Sequence, residues 1–199
     1  MSVALLLISD GREDYLQRTL LSAVEHLPAF DQVIHVEDLG HELGFAGAIQ
    51  HGWDQVQTDW CFHLEADFTF TERVDLDRMR AVLSRRPYLA QLVLKRQPWN
   101  ADETIAGGII EQHPEDYTET TDHSAFGDVW TEHRRFWSTN PSLYDTRFCN
   151  LGWPQEPRSE GVFTHRLLRD PHLRFGFWGG KADPPRVTHI GDVRAGVGY

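Results

Sequence analysis

The order of apolar segments in the first 70 residues restricts the fold of this chain more than any other feature of its sequence. Three apolar runs of strand length alternate with two segments whose apolar residues recur at helical spacing. We predict strands at residues 2–9, 32–37 and 60–64 and helices at residues 15–27 and 45–56. Because a β-α-β-α-β order requires crossover connections, it predicts an α/β fold with a central, mostly parallel sheet and helices on both faces.

The second half of the chain has a weaker pattern. We predict helices at 76–83 and 161–168, strands at 88–94, 135–138 and 174–178, and loops with short hairpin strands across 97–131, including the segment 104–110. No internal repeat or low-complexity linker divides the sequence. A length of 199 residues therefore predicts a single domain spanning residues 1–199.

The charge and the cysteine content exclude several classes of protein. The net charge of −11 argues against a broad basic face that holds nucleic acid, but it does not exclude a narrow basic groove. The two cysteines lack CxxC spacing, so they form neither a zinc motif nor a disulfide framework. The N-terminus has no basic signal-peptide segment, and no apolar run has the length of a membrane span. We expect a cytoplasmic protein without a transmembrane segment.

An acidic pair directly follows the third predicted strand. Glu65 and Asp67 flank Ala66 in an extended segment, where side chains two positions apart project to the same side. Two carboxylates so arranged suit Mg²⁺ or Mn²⁺, which prefer oxygen ligands and bridge to phosphate. Acidic pairs at this spacing are common at strand ends, so the spacing alone does not distinguish a metal site from ordinary strand-end carboxylates. The position after a β-α-β-α-β unit favours the metal site.

Other polar residues are predicted to lie at the same edge of the sheet. Asp10, Gly11 and Arg12 follow the first strand, and Glu37 and Asp38 mark the end of the second. Ligands of open α/β sheets bind outside the carboxyl ends of the strands. The sequence therefore predicts one ligand site that combines these two turns with the acidic pair.

Two segments resemble the GT-A glycosyltransferases, especially family 2. These are ISDGREDYLQRTLLSAVEHL at 8–27 and GFAGAIQHGWDQVQTDWCFHLEADF at 44–68, and the resemblance extends over roughly residues 2–95. The chain departs from the family pattern where His51-Gly52 stands in place of an Asn-Gly position, and where Glu65 replaces an aspartate. The resemblance implies a GT-A fold in which residues 1–95 form the nucleotide-sugar-binding half and residues 96–199 the acceptor-binding half.

The resemblance also implies roles for individual residues on the donor side. The two turns at 10–12 and 37–38 would contact the nucleoside, while Glu65 and Asp67 would hold Mn²⁺ or Mg²⁺, Asp67 more directly. His189, in the segment Thr-His-Ile-Gly, is similar to a late histidine that several GT-A enzymes use as a further metal ligand. Lys181 is predicted to lie near the donor phosphates. The implied donor-binding set is Asp10, Gly11, Arg12, Glu37, Asp38, Glu65, Ala66, Asp67 and Lys181.

On the acceptor side, the resemblance implies a general base at the start of a helix. Glu160 matches that position, and a helix N-terminus favours the ionised form of a carboxylate. Glu156 is the competing candidate. The segment 137–142 is similar to one that lines the acceptor in related enzymes, and aromatic rings offer flat faces for stacking on sugars or bases. The predicted acceptor residues are Trp137, Asn140 and Trp153.

These observations predict a metal-dependent, inverting glycosyltransferase that uses a nucleotide-diphosphate sugar, with UDP as the expected nucleotide. The acceptor is a hydroxyl group, and both a modified DNA base and a bacterial glycan are candidates for carrying it. One alternative is a nucleotidyltransferase of similar α/β fold, although the turn after the first strand lacks the glycine-rich basic loop of that class. The other alternative is a non-catalytic protein that binds nucleotide sugars.

Overall fold

The computed structural model describes residues 1–97, 110–122 and 126–191. Within them, eight strands form one sheet in the order β2-β1-β3-β9-β5-β10-β8-β7, and three short strands form a second sheet in the order β4-β11-β6. The strands are β1 Val3–Ser9, β2 Gln32–Glu37, β3 Trp60–Glu65, β4 Phe68–Phe70, β5 Leu89–Leu94, β6 Arg96–Gln97, β7 Thr118–Thr121, β8 Val129–His133, β9 Ser142–Asp145, β10 Arg174–Trp178 and β11 Val187–His189. The helices are α1 Glu13–His26, α2 Gly44–Trp53, α3 Leu76–Arg85 and α4 Ser159–Leu167, with 3₁₀ turns at Pro114–Asp116 and Thr146–Leu151.

The large sheet is mostly parallel at its centre, as predicted. Strands β2, β1 and β3 pair in parallel, and β5 pairs in parallel with β10. Strand β9 separates these two groups and runs antiparallel to both β3 and β5. Because β9 reverses direction between them, β5 and β10 point the same way as β1 and β3. Their carboxyl ends therefore share one edge of the sheet.

The helices cover both faces of the sheet, and each face has its own apolar core. On one face, Leu16 of α1 and Met79 of α3 pack with Phe62 and Leu64 of β3. On the other face, α2 and α4 pack over alternate residues of the same strands, and the cluster contains several buried aromatic rings. This two-faced burial explains why the sequence of β1 and β3 is almost continuously apolar. The predicted arrangement of helices on both faces is confirmed.

Most of the predicted elements are present with small shifts of their ends, but one strand is wrong. Residues 135–138 do not form a strand; they lie in the connection between β8 and β9. Trp137 in that connection is buried because its ring packs edge-on against Phe163 of α4, at 5.1 Å between centroids. An apolar run that is buried by ring packing has the same local pattern as a strand. The predicted segment 104–110 lies outside the described residues except for Ile110.

The small sheet brings the end of the chain next to the turn that follows β3. In β11, His189 pairs with Phe68 of β4, and the Ile190 amide donates to the Asp67 carbonyl at 2.8 Å. The late strand is thus held against the acidic pair by backbone hydrogen bonds. None of the described helices combines the length and the apolar character that crossing a lipid bilayer requires.

Candidate active site

The acidic pair lies where the parallel strands end. Glu65 is the last residue of β3, and Asp67 occupies the turn before β4. The Ala66 amide donates to the Ile8 carbonyl at 2.8 Å, which holds this turn against the end of β1. The side chain of Asp67 is only 10% exposed, whereas that of Glu65 is 26% exposed. The turn therefore presents one carboxylate that is almost fully buried and one that is mostly buried.

His189 lies beside Asp67. Its Nε2 is 3.2 Å from Asp67 Oδ2, and its ring lies 4.9 Å from the ring of Phe68. The backbone pairing of β11 with β4 fixes this position. Glu65 lies farther away, since its oxygens do not come within 4.8 Å of both the Asp67 oxygen and the His189 nitrogen. The structure thus brings Asp67 and His189 together as a pair, with Glu65 outside that pair.

Arg12 connects the first turn to the acidic pair. Its Nε lies 2.7 Å from Asp10 Oδ2, and its Nη2 lies 3.0 Å from Asp67 Oδ2. Burial by itself would raise the pKa of Asp67, but the hydrogen bond with His189 and the charge of Arg12 outweigh it, so the pKa is lowered. Asp67 is therefore held in its ionised form, which is the form that binds cations.

Glu65 has the opposite electrostatic environment. Burial raises the pKa of Glu65 to about 8, and the charge of Asp67 acts in the same direction. A hydrogen bond with Thr139 and the positive charge of Arg96 lower the pKa, but by less. Like charges at short range disfavour ionisation of both groups, and a bound cation relieves that repulsion. The pair is thus arranged to gain ionisation when positive charge arrives.

Glu160 approaches the same region from the opposite side of the sheet edge. It lies in the first turn of α4, and its Oε1 accepts hydrogen bonds from the Thr139 amide at 2.8 Å and the Thr139 hydroxyl at 3.0 Å. Thr139 lowers the pKa of Glu65, and the charge of Glu160 raises it. Glu160 and Thr139 therefore lie close to the acidic pair.

The residues around Asp67 fit a divalent cation. Asp67 Oδ1 is buried and has no hydrogen-bond partner among the described residues, so it offers a coordinating oxygen at a protected position. Gly191 leaves the space beside this carboxylate open, because a Cβ at that position would lie 2.2 Å from Asp67 Oδ2. A carboxylate, an imidazole and a second carboxylate nearby form a ligand set suited to Mn²⁺ or Mg²⁺.

The residues predicted to contact the nucleoside lie at the predicted edge of the sheet, but they differ in whether their side chains are free to bind a ligand. Asp38 accepts hydrogen bonds from the Leu43 and Gly44 amides, at 3.2 and 2.9 Å, and so caps the start of α2. Gly11 has a φ of +84°, and its missing Cβ allows Leu39 to approach within contact distance. Glu37 is exposed on the edge strand. Asp38 therefore has a structural role in this turn, while Glu37 faces solvent.

Several predicted site residues do not reach the site. The indole rings of Trp137 and Trp153 are 2% and 3% exposed and pack in the core, so neither offers a face to an acceptor. The amino group of Lys181 donates a hydrogen bond to the Pro114 carbonyl at 2.8 Å, and this bond holds the side chain near the turn before β7. Glu156 lies exposed in the loop before α4. Of the predicted acceptor residues only Asn140 stays near the acidic pair, where its Oδ1 accepts from Arg96 at 3.4 Å.

The sequence predicted no individual role for three residues of the site, although Thr139 and Gly191 lie in segments that the resemblance pointed to. Arg96 is 4% exposed, carries a charge beside Glu65 and has its guanidinium 5.8 Å from the Phe68 ring centroid. Thr139 and Gly191 act through the contacts described above. A charged residue directly after a buried strand is a usable signal for Arg96. The roles of Thr139 and Gly191 within their segments come from partners distant in the chain, Glu160 and Asp67, which no local pattern identifies.

Comparison with known proteins identifies a family and a fold. The sequence model of the family described as Glycosyl transferase family 2 matches residues 2–148. No curated protein sequence matches the chain. Among solved structures, S. aureus TarS 1–349 in complex with UDP-GlcNAc is similar with a TM-score of 0.62 at 13% identity, covering 98% of this chain and 62% of that one.

Two further solved structures, one of another protein and one of a second TarS complex, have the same fold. Mannosyltransferase PcManGT from Pyrobaculum calidifontis, in complex with GDP-Man and Mn²⁺, is similar with a TM-score of 0.60 at 10% identity, over 98% of this chain and 58% of that one. TarS 1–349 in complex with UDP aligns over 94% of this chain and 60% of that one, with a TM-score of 0.62 at 14% identity. The chain thus spans about three fifths of the length of these structures, and at such identities the likeness concerns the fold.

Proposed function

The chain belongs to glycosyl transferase family 2, and on that premise we propose that it transfers a sugar from a nucleotide-diphosphate sugar to a hydroxyl acceptor, with inversion and with a divalent metal. The observation that carries this proposal is the meeting of Asp67, His189 and Glu160 at one edge of the sheet. Asp67 and His189 are in direct contact, and both Thr139, which holds Glu160, and the charge of Glu160 act on the pKa of the neighbouring Glu65. This proximity supports a donor side and an acceptor side that meet at this edge.

Asp67 and His189 would bind the metal directly, and Glu65 would add a negative charge to the metal site from a greater distance. When bound, Mn²⁺ or Mg²⁺ stabilises the charge of a leaving diphosphate. The pKa of Asp67 is lowered, so this residue is ionised before any cation arrives. His189 contributes a nitrogen that the backbone of β11 keeps in position. The proposal includes both metals, because oxygen and imidazole ligands suit either.

Glu160 is proposed as the general base. The hydroxyl proton of the acceptor passes to Glu160 while the acceptor oxygen forms a bond to the anomeric carbon and the bond from that carbon to the diphosphate breaks. The electron pair of the broken bond leaves with the nucleoside diphosphate, and attack from the opposite side inverts the anomeric centre. Thr139 fixes one Glu160 oxygen by two hydrogen bonds, which limits the orientations of the carboxylate. Such positioning is what efficient proton transfer requires.

The nucleoside would lie over the ends of β1 and β2. Asp10 and Glu37 supply carboxylates there that can accept hydrogen bonds from a base or a ribose. The absence of a side chain at Gly11 keeps the turn after β1 close to Leu39 in the turn after β2. UDP is the proposed nucleotide, and the UDP complex of TarS supports this choice. Because the mannosyltransferase forms a complex with GDP-Man, the test also includes a guanine nucleotide. Calorimetric titration with UDP and GDP in the presence of Mn²⁺ distinguishes the two nucleotides.

The decisive experiment measures sugar transfer and donor hydrolysis with and without EDTA. We expect wild-type activity to disappear in EDTA and to return on addition of Mn²⁺ or Mg²⁺. Asp67→Asn should lose activity under all conditions, while Asp77→Asn, a change of the same charge on the exposed surface of α3, should behave as wild type. Full activity in EDTA would refute the metal dependence. Nucleotide binding with no turnover across a broad set of acceptors would instead favour a non-catalytic binder.

The acceptor is proposed only as a hydroxyl group, and two carriers are to be compared. A bacterial glycan and a modified DNA base both present such hydroxyls. The net charge of −11 disfavours extended contact with a duplex. Retention on a DNA column that falls with added salt would favour the nucleic-acid acceptor, and transfer to glycan fragments without such retention would favour the glycan.

A further inference from the structure

The site contains more negative charge than its described cations balance. Asp10, Glu65, Asp67 and Glu160 all lie at this edge of the sheet, and Arg12 and Arg96 are the arginines beside them. Arg12 is the cation that touches Asp67. Its side chain is 21% exposed, so it is partly desolvated and its interaction with the carboxylate is not a weak surface contact. Arg12 is therefore a principal source of positive charge at Asp67 in this structure.

Arg12 and the proposed metal compete for the same carboxylate. Asp67 Oδ2 lies 3.0 Å from Arg12 Nη2 and 3.2 Å from His189 Nε2, while Oδ1 has no partner among the described residues. A divalent cation held by Asp67 and His189 needs both groups to turn their lone pairs toward it. A guanidinium bound to one oxygen of this carboxylate restrains its orientation and repels the incoming cation. Metal binding and the contact from Arg12 to Asp67 thus oppose each other.

Arg12 also has partners other than Asp67. Its Nε lies 2.7 Å from Asp10 Oδ2, and the guanidinium carbon lies 4.7 Å from the ring centroid of Tyr15. These partners flank the start of α1, so their positions do not depend on Asp67. Because the guanidinium is a rigid plane, Nη2 leaves Asp67 only when the whole group turns, and Asp10 and Tyr15 remain beside the turned group. The released group would remain at the edge where strands β1 and β3 end.

We propose that Arg12 is a tethered counter-cation of Asp67 that the metal displaces, and that the displaced guanidinium then binds the diphosphate of the donor. The proposal rests on the metal and donor assignments of the proposed function. It gives Arg12 two alternating anionic partners, a carboxylate in the metal-free protein and a phosphate in the loaded one. Guanidinium groups suit this exchange because their planar fork binds carboxylate and phosphate with similar geometry. Arg12 is thus a positioning residue that couples metal arrival to donor binding.

The test compares Arg12→Gln with Arg18→Gln, which removes the same charge from an exposed position on α1, the helix that follows Arg12. Mn²⁺ affinity is measured by calorimetry without nucleotide, and UDP affinity is measured at saturating Mn²⁺. We expect Arg12→Gln to bind Mn²⁺ about tenfold more tightly than wild type, equivalent to about 1.4 kcal/mol, and to bind UDP about tenfold more weakly. Arg18→Gln should match wild type in both measurements. Opposite changes in the two affinities are not expected from a residue with only a structural role.

Thermal unfolding with and without Mn²⁺ provides a readout that does not depend on activity. Arg12→Gln should lose stability in the absence of metal, because the carboxylates then lack a counter-charge, and should gain more from Mn²⁺ than wild type does. Arg12→Lys retains the charge but lacks the fork that reaches Asp10 and Asp67 together, so its Mn²⁺ affinity should be intermediate.

The outcomes separate the exchange from the proposed function. Equal Mn²⁺ affinity in wild type and Arg12→Gln would overturn the exchange while leaving the metal site in place. Unchanged UDP affinity in Arg12→Gln would overturn the transfer of the guanidinium to the diphosphate. Failure of both proteins to bind Mn²⁺, with or without UDP, would overturn the exchange and the metal dependence together.

Discussion

At the scale of single residues, the two candidates for the general base, Glu160 and Glu156, are expected to respond differently to substitution. Glu160 is held by Thr139 near the acidic pair, whereas Glu156 is exposed in the preceding loop. Glu160→Gln should reduce transfer by about 10²- to 10⁴-fold, a range typical of lost general-base catalysis. The amide oxygen can still accept from Thr139, so UDP and Mn²⁺ binding should be retained. Single-turnover transfer assays and calorimetry provide the two measurements.

The matched control for this prediction is Glu156→Gln. It removes a carboxylate four positions earlier and should leave transfer unchanged. Normal transfer by Glu160→Gln together with a large loss in Glu156→Gln would move the assignment to the loop residue. Normal transfer by both variants would exclude a carboxylate base from this segment.

Gly191 is a residue whose importance is steric. A Cβ at this position would lie 2.2 Å from Asp67 Oδ2 and 2.9 Å from its Cγ, so Gly191→Ala must push the carboxylate aside. We expect Mn²⁺ affinity to fall at least about tenfold, or about 1.4 kcal/mol, while far-ultraviolet circular dichroism stays that of the wild type. Calorimetry against Gly161→Ala, where a Cβ meets open space, isolates the steric effect. Unchanged metal affinity in Gly191→Ala would show that the Asp67 carboxylate does not bind the metal from this position.

At the scale of elements, two helical glycines have opposite expected effects. In α2, a Cβ on Gly52 would lie 2.4 Å from Leu6 Cδ1, because this helix packs closely on β1. In α4, Gly161 faces open space. Gly52→Ala should destabilise the protein by about 1–2 kcal/mol, since overpacking costs about 1–3 kcal/mol and helix propensity returns up to about 1 kcal/mol. Gly161→Ala should stabilise it by about 0.5–1 kcal/mol.

Urea unfolding of both variants measures this difference between the helices. The same substitution in two helices controls for the intrinsic gain of alanine over glycine, so the contrast reports only on packing. Stabilisation by Gly52→Ala would mean that α2 does not approach β1 as closely as the structure shows.

At the scale of the whole molecule, two buried histidines make stability depend on pH. Burial lowers the pKa of His133 to about 3, with Arg135 acting in the same direction, and burial lowers the pKa of His63 to about 3. In the unfolded chain a histidine has a pKa near 6.5. Between about pH 6.5 and pH 3 the unfolded state therefore binds more protons, so the free energy of unfolding falls as the pH is lowered through this range.

The contribution of His133 is measurable by substitution. Its ring stacks on Phe177 at 5.1 Å and lies among other aromatic rings, so His133→Phe fits the surroundings without a titrating group. The variant should lose up to about 1.4 kcal/mol less stability per pH unit than wild type in this range. Urea unfolding at pH 7, 6 and 5 gives the slopes, with the exposed His172→Gln as control. Equal slopes in wild type and His133→Phe would contradict a buried neutral ring.

The local pattern of the sequence was sufficient to predict the β-α-β-α-β order from β1 to β3. Strand β2 was predicted with its observed bounds, and β3 was predicted to within one residue, because apolar period and turn residues are properties of neighbouring positions. The acidic pair after β3 was identified in the same way. By contrast, β9 was missed and 135–138 was wrongly assigned as a strand. Strand β9 has only four residues and begins with Ser142, so its apolar signal is weak.

The sequence by itself determined which groups are available: carboxylates at strand ends, a late histidine and a helix-start glutamate. Only the tertiary structure decided which of them meet. Asp67 contacts Arg12 across 55 positions and His189 across 122, and these contacts exist because β11 pairs with β4 and β1 lies beside β3. The same packing buried Trp137 in the core. Local periodicity records whether a residue is buried, but the identity of its partners depends on strand order, which the free energy of the whole fold selects.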